Sequence, residues 1–141
     1  MQIVSLSAFA LAGVLAMAFG VRYLFTREFM PYHAQVLGQP WSALEPRLQT
    51  VILGMLRVAG AGLLSSGCAV LWLLLPIGRG QPWAVWAALT VVLAVTGPIL
   101  YVVLWLRQQS PGARTPVIPT VAAMSLAIAA AVAFFAGRNA V

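Results

Sequence analysis

Residues 26–57 read TREFMPYHAQVLGQPWSALEPRLQTVILGMLR. The reading of this stretch decides the fold, because here the long apolar runs of the chain give way to polar chemistry. It contains both acidic residues, Glu28 and Glu45, the single histidine, His33, and three of the eight arginines, Arg27, Arg47 and Arg57. The flanking sequence on either side is almost wholly apolar. Its first part, about 26–46, reads as the connection between two membrane spans, and the rest opens the second span.

The composition agrees. Of the 141 residues, 62% are hydrophobic and 7% charged, whereas a soluble chain carries about 25% charged residues. This chain cannot cover a surface that faces water. The net charge of +6 comes from arginine alone. The arginines stand singly at the ends of apolar runs, which is how positive charge fixes topology. A nucleic-acid partner needs a clustered basic face, which is missing. Cys68, the only cysteine, has no partner for a disulfide and reads as a small packing residue.

Working outward, the chain divides into four spans within a single transmembrane domain, 1–141. Span one covers about 3–25. It has no positive residue before its apolar run, so it reads as a retained span rather than a signal peptide. Its small residues Ala8, Ala12, Gly13, Ala16 and Gly20 include a stripe suited to close helix packing. In the connection, Pro31 starts and Gly38 ends a short interfacial helix. Ser42 to Glu45 matches a capping box for the next helix. Span two covers about 47–75 and is about 40 Å long, more than the ~30 Å hydrocarbon core, so it tilts or protrudes. Gly62 with Ser66, and Ala61 with Ser65 and Ala69, form small-x-x-x-small patterns within it.

Pro76 to Pro82 reads as a tight connection, and span three covers about 83–106. Trp83 and Trp105 bracket about 33 Å of helix, a good match to the bilayer. Inside it, Gly97-Pro98 predicts a kink. Span four covers about 117–137 and is rich in alanine. The expected fold is therefore all-α: an integral membrane four-helix bundle with a short interfacial helix between spans one and two.

Connections one and three carry Arg22, Arg27, Arg47, Arg107 and Arg114. The opposite side carries Arg79, Arg138 and the terminal amine. The positive-inside rule places both termini in the periplasm of a bacterial inner membrane.

Arg57 is the sharpest candidate, since an arginine within a span calls for a named partner. Small neighbours such as Gly54, Gly60 and Ala61 suggest a face turned toward the bundle. Glu28 and Glu45 are the only carboxylates available to pair with it. The plain alternative is snorkelling to the nearby interface. Arg22, Arg27, His33, Arg47 and Arg57 together suggest a basic pocket for anionic headgroups. One His and one Cys in different places do not make a metal site, and no cofactor is implied.

The sequence Met30-Pro-Tyr-His-Ala34, followed by Gly38, Trp41, Leu44, Pro46, Gln49, Arg57-Val58 and Gly60, resembles a set of small, uncharacterised four-span bacterial membrane proteins. The resemblance is carried by spans one and two. It implies an inner-membrane helical bundle and no particular activity. The favoured function is non-enzymatic: binding of anionic membrane lipids, or of a partner membrane protein, through the basic pocket. One alternative is a small homo-oligomeric transporter with a path along the Gly97-Pro98 break. The other is a lipid-modifying enzyme using His33 with Glu28 or Glu45.

Overall fold

The computed structural model describes residues 2–138, and these are helical with no strand. Helix α1 spans Gln2–Phe25, α2 Pro31–Leu37, α3 Pro46–Gly78, α4 Pro82–Gln109 and α5 Val117–Arg138. A single 3-10 turn, Trp41–Ala43, lies between α2 and α3. In lipid every backbone N–H and C=O must be satisfied within the protein, so an apolar run of this length folds as a helix. Four helices (α1, α3, α4 and α5) are long and apolar enough to cross a membrane. The fold is that of a small multi-pass membrane protein.

The four long helices form a ring. Helix α1 packs on α3 and α5, and α4 packs on the same two neighbours, while the diagonal pairs barely touch. The closest contact is between α1 and α3, and glycine makes it possible. A Cβ on Gly60 would sit 2.6 Å from the Leu24 amide nitrogen, and one on Gly20 would sit 2.6 Å from that of Leu64. A Cβ on Gly67 would lie 2.6 Å from the Gly13 carbonyl oxygen. Gly13 thus faces Gly67 and Gly20 faces Gly60, which fixes an antiparallel register. The expected stripe on α1 is used. The patterns read on α3 are not: Ala61, Gly62 and Ser65 are exposed, and nothing lies within 4 Å of a Cβ on Gly62. Cys68 is exposed on α3 as well, not packed.

One end of the ring is filled. Phe9, Val70, Ile77, Ala84, Val85, Ala88, Ala127, Ala130, Ala131 and Phe134 form a continuous buried core there. Gln2 Nε2 donates to the Gly78 carbonyl at 2.8 Å, and Arg138 Nη1 donates to that of Gly80, also at 2.8 Å. These bonds tie the first and last long helices to the α3–α4 turn. The terminal amine and residues 139–141, part of the periplasmic expectation, lie outside the described residues.

Several boundaries move. Helix α3 runs on through Pro76 to Gly78, so the expected tight connection shrinks to the three residues 79–81. Pro76 removes one hydrogen bond in a last turn that packing already holds. Ser42 does not cap α3. It lies in the 3-10 turn, and Glu45 is the residue before the helix, with Pro46 in its first position. Pro46 has no N–H to be capped. Gln49 instead reaches back, its Nε2 donating to the Trp41 carbonyl at 2.9 Å and the Leu44 carbonyl at 3.2 Å. The short helix α2 is where it was expected, ended by Gly38 in the left-handed region (φ 70°). Helix α4 is helical through Gly97 and Pro98 without a break.

Candidate functional site

Away from the packed end the helices do not meet on the axis. Between them lies a cavity of about 670 Å³ that is open on one side, within the roughly 300–1,000 Å³ of small-molecule sites. Its wall is built by Leu15, Ala16 and Phe19 of α1, Ala59 and Leu63 of α3, Val95 and Ile99 of α4, and Ala122 and Ala123 of α5. The chain also places hydroxyls along this wall, but they turn back onto their own helices. Ser66 Oγ donates to the Gly62 carbonyl at 2.7 Å, Thr96 Oγ1 to Val92 at 2.7 Å, and Thr120 Oγ1 to Pro116 at 2.8 Å. A hydroxyl satisfied four residues back presents little polarity to the cavity. The wall is therefore apolar in effect as well as in composition. From Ala12 to Arg22 along α1 the cavity is about 15 Å deep, half of a ~30 Å hydrocarbon core.

Helix α2 caps the cavity, contributing Pro31, Tyr32 and His33 to its lining. It is anchored from three sides. The Tyr23 and Tyr32 hydroxyls hydrogen-bond at 3.0 Å, joining α2 to α1. The Arg114 N–H donates to Gln35 Oε1 at 2.8 Å, joining α2 to the segment before α5. Beneath it, Phe29, Leu44 and Leu56 form a second small core, with Trp41 edge-on to Phe29 at 5.0 Å.

Polarity gathers under this cap. Arg22, an exposed residue, stands on the cavity lining, and its Nε donates to Met30 Sδ at 3.3 Å. His33 Nδ1 accepts a hydrogen bond from the Met30 backbone N–H at 3.1 Å. Burial lowers the His33 pKa below its ordinary value, so the ring is neutral. With Nδ1 accepting, the neutral ring carries its proton on Nε2. Tyr32 is pushed above its ordinary value, by burial first and then by its bond to Tyr23, so its hydroxyl stays protonated.

Of the five basic-pocket candidates, Arg22 and His33 both stand on the cavity lining and Arg27, Arg47 and Arg57 do not; all four arginines are exposed. The bundle-facing position expected for Arg57 is corrected. Leu56 and Gly60 point inward, and Arg57 lies on the outer side of α3. The Gly20–Gly60 register sets Arg57 near the level of Tyr23, at the capped end, within reach of an interface. Neither expected pair forms: among the described residues Arg57 has no ion pair within 4.0 Å to Glu28 or Glu45, and all three side chains are exposed. Thr96 and Pro98 line the cavity; Gly97 does not. Among the described residues no three His, Cys, Asp or Glu side chains gather as a metal site.

Sequence reasoning missed Tyr23, Tyr32 and Met30, which assemble the polar end. The one available signal was a Tyr23 one turn before a helix end and a Tyr32 opening the next helix. These features define a class: a four-helix multi-pass membrane protein with an apolar cavity, polar at the end that a short helix caps. In comparison with known proteins, the chain matches no family model, no curated protein and no solved structure.

Proposed function

We propose that the protein is a non-enzymatic, membrane-embedded binding protein whose central cavity takes the apolar chain of a lipid or lipid-like molecule. The observation that carries this reading is the cavity itself, about 670 Å³ with its wall hydroxyls turned away. A hollow of that size between apolar helices surrounded by lipid is filled most favourably by hydrocarbon. Arginine asymmetry supports an orientation with the capped end in the cytoplasm of a bacterial inner membrane and the termini in the periplasm.

Native mass spectrometry of protein extracted with its own lipids tests the reading. The wild type is expected to carry a bound lipid-like mass, and a double variant, Ala16→Phe with Ala123→Phe, is expected to lose it. A wild type without bound mass, or a filled variant that retains it, would refute the proposal.

A second reading, movement of the same ligand across the membrane, is favoured by one observation. Pro98 and Thr96 stand on the cavity wall, and Pro98 leaves the Ala94 carbonyl without its usual donor. No atom lies within 4 Å of a Cβ on Gly97, so Gly97→Ala stiffens α4 without a clash. Ligand flux in proteoliposomes that Gly97→Ala leaves unchanged would remove this reading.

A further inference from the structure

We infer that the cavity's ligand is an anionic amphiphile, with one acidic group, carboxylate or phosphate, held beneath α2 by Arg22 and the His33 Nε2–H. This inference rests on the cavity-binding reading and adds the class of headgroup. Three observations converge on it.

The first is charge. Among the described residues Arg22 is the one charged side chain on the cavity lining, and no carboxylate lines it. Glu28 and Glu45 are exposed and lie outside the lining, so neither of them neutralises the guanidinium there. A cation at the edge of an apolar hollow favours an anion at that point.

The second is donor geometry. Only the Arg22 Nε is used by the protein, on Met30 Sδ. The two terminal nitrogens have no protein partner among the described residues, and these suit a carboxylate or phosphate. His33 has its Nδ1 occupied by the Met30 N–H, so its remaining ring nitrogen is a donor as well. Met30 thus orients both groups, one through its sulfur and one through its amide. An end furnished with donors and lacking a charged acceptor selects an acceptor head.

The third is depth. The apolar part of the cavity extends about 15 Å from Arg22, the thickness of one leaflet. It then stops against the filled end at Phe9, Val70 and Ala88. A head at Arg22 places an acyl chain of a single leaflet along the wall, with its end at this floor.

The test uses the full chain in nanodiscs of neutral phosphatidylcholine. Binding is measured for palmitate, for lysophosphatidic acid with the same chain, and for the uncharged monopalmitoylglycerol. At least one acidic probe is expected to bind about tenfold to a hundredfold more tightly than the neutral one. Which acidic probe wins identifies carboxylate or phosphate. Arg22→Gln is expected to abolish that preference, while Arg27→Gln, an exposed charge off the cavity, keeps the preference. Equal binding of acidic and neutral probes by the wild type overturns the inference yet leaves the cavity reading standing. So does an Arg22→Gln variant that weakens all three alike. Failure of every probe to bind overturns the cavity reading itself.

Discussion

The two ends of this bundle are made from the same apolar residues and reach opposite outcomes. At the turn between α3 and α4, Ala84, Ala88, Ala127 and Ala130 are fully buried around Phe9 and Ile77. At the other end, Phe19, Val95, Ile99 and Ala123 surround a hollow. Connection length accounts for much of the contrast. Residues 79–81 are too few to let α3 and α4 separate. At the far end residues 26–45 and 110–116 link the helices, and the first of these segments folds into the cap. Helix α3 is 33 residues long and α1 is 24. The excess of α3 extends beyond α1 on the capped side and gives Phe29 and Leu44 a surface to pack on. A short loop closes one end, and a long, structured one covers the other without filling it.

The strongest way to break this contrast is to hollow the filled end. Phe9 is fully buried, so Phe9→Ala is expected to cost about 3–5 kcal/mol. Phe19→Ala, on the cavity wall and already 40% exposed, is expected to cost clearly less. Unfolding in mixed micelles under increasing denaturing detergent compares the two. Equal losses would mean that the two ends are packed alike.

Next in size is the glycine seam that both ends share. Gly60→Ala sets a methyl group 2.6 Å from the Leu24 nitrogen and 2.8 Å from the Gly20 oxygen, atoms of backbone that cannot rotate away. The expected cost is about 1–3 kcal/mol. Gly54→Ala and Gly62→Ala meet nothing within 4 Å and are expected to stabilise by about 0.5–1 kcal/mol through helix propensity. The same titration reads all three, and a harmless Gly60→Ala would show the register to be wrong.

That seam also shows what the sequence could convey. The presence of four spans, the short helix from Pro31 to Gly38 and the all-α class were legible because they depend on apolar length and on Pro and Gly chemistry. Which face of a span turns inward was not. In a soluble helix the outer face is polar and marks itself; in lipid both faces are apolar and the pattern is nearly silent. Gly60 and Gly62 look alike in sequence, yet one touches α1 and the other touches nothing. Arg57 was misplaced for the same reason. Its small neighbours suggested room, but whether that room faced the bundle depended on a register set by glycines more than thirty positions away. The cavity was illegible because a hollow is a property of four helices together. Arg22 and His33 were found as polar residues near span ends, whereas their common partner, Met30, gave no polar signal at all.

The finest prediction concerns the cap alone and leaves the filled end as its control. His33 has an ordinary pKa of 6.5 and is held lower by burial when α2 is docked. Above pH 6.5 the ring is neutral whether the cap is docked or released, so docking does not depend on pH. As the pH falls below 6.5, the released ring takes up a proton before the docked one does, and docking weakens. The loss levels off below the docked pKa. Protonation also turns Nδ1 from acceptor to donor, so the bond from the Met30 N–H is lost together with burial of the neutral ring. His33→Gln separates the two states, because glutamine at this third helical position reaches back to the same N–H but does not titrate. The NMR shift of the Met30 amide is expected to titrate below pH 6.5 in the wild type and stay flat in His33→Gln. The amides of Ala84 and Ala88, at the filled end, are expected to stay flat in both. A Met30 titration that persists in His33→Gln would assign the proton to another group and detach His33 from the cap.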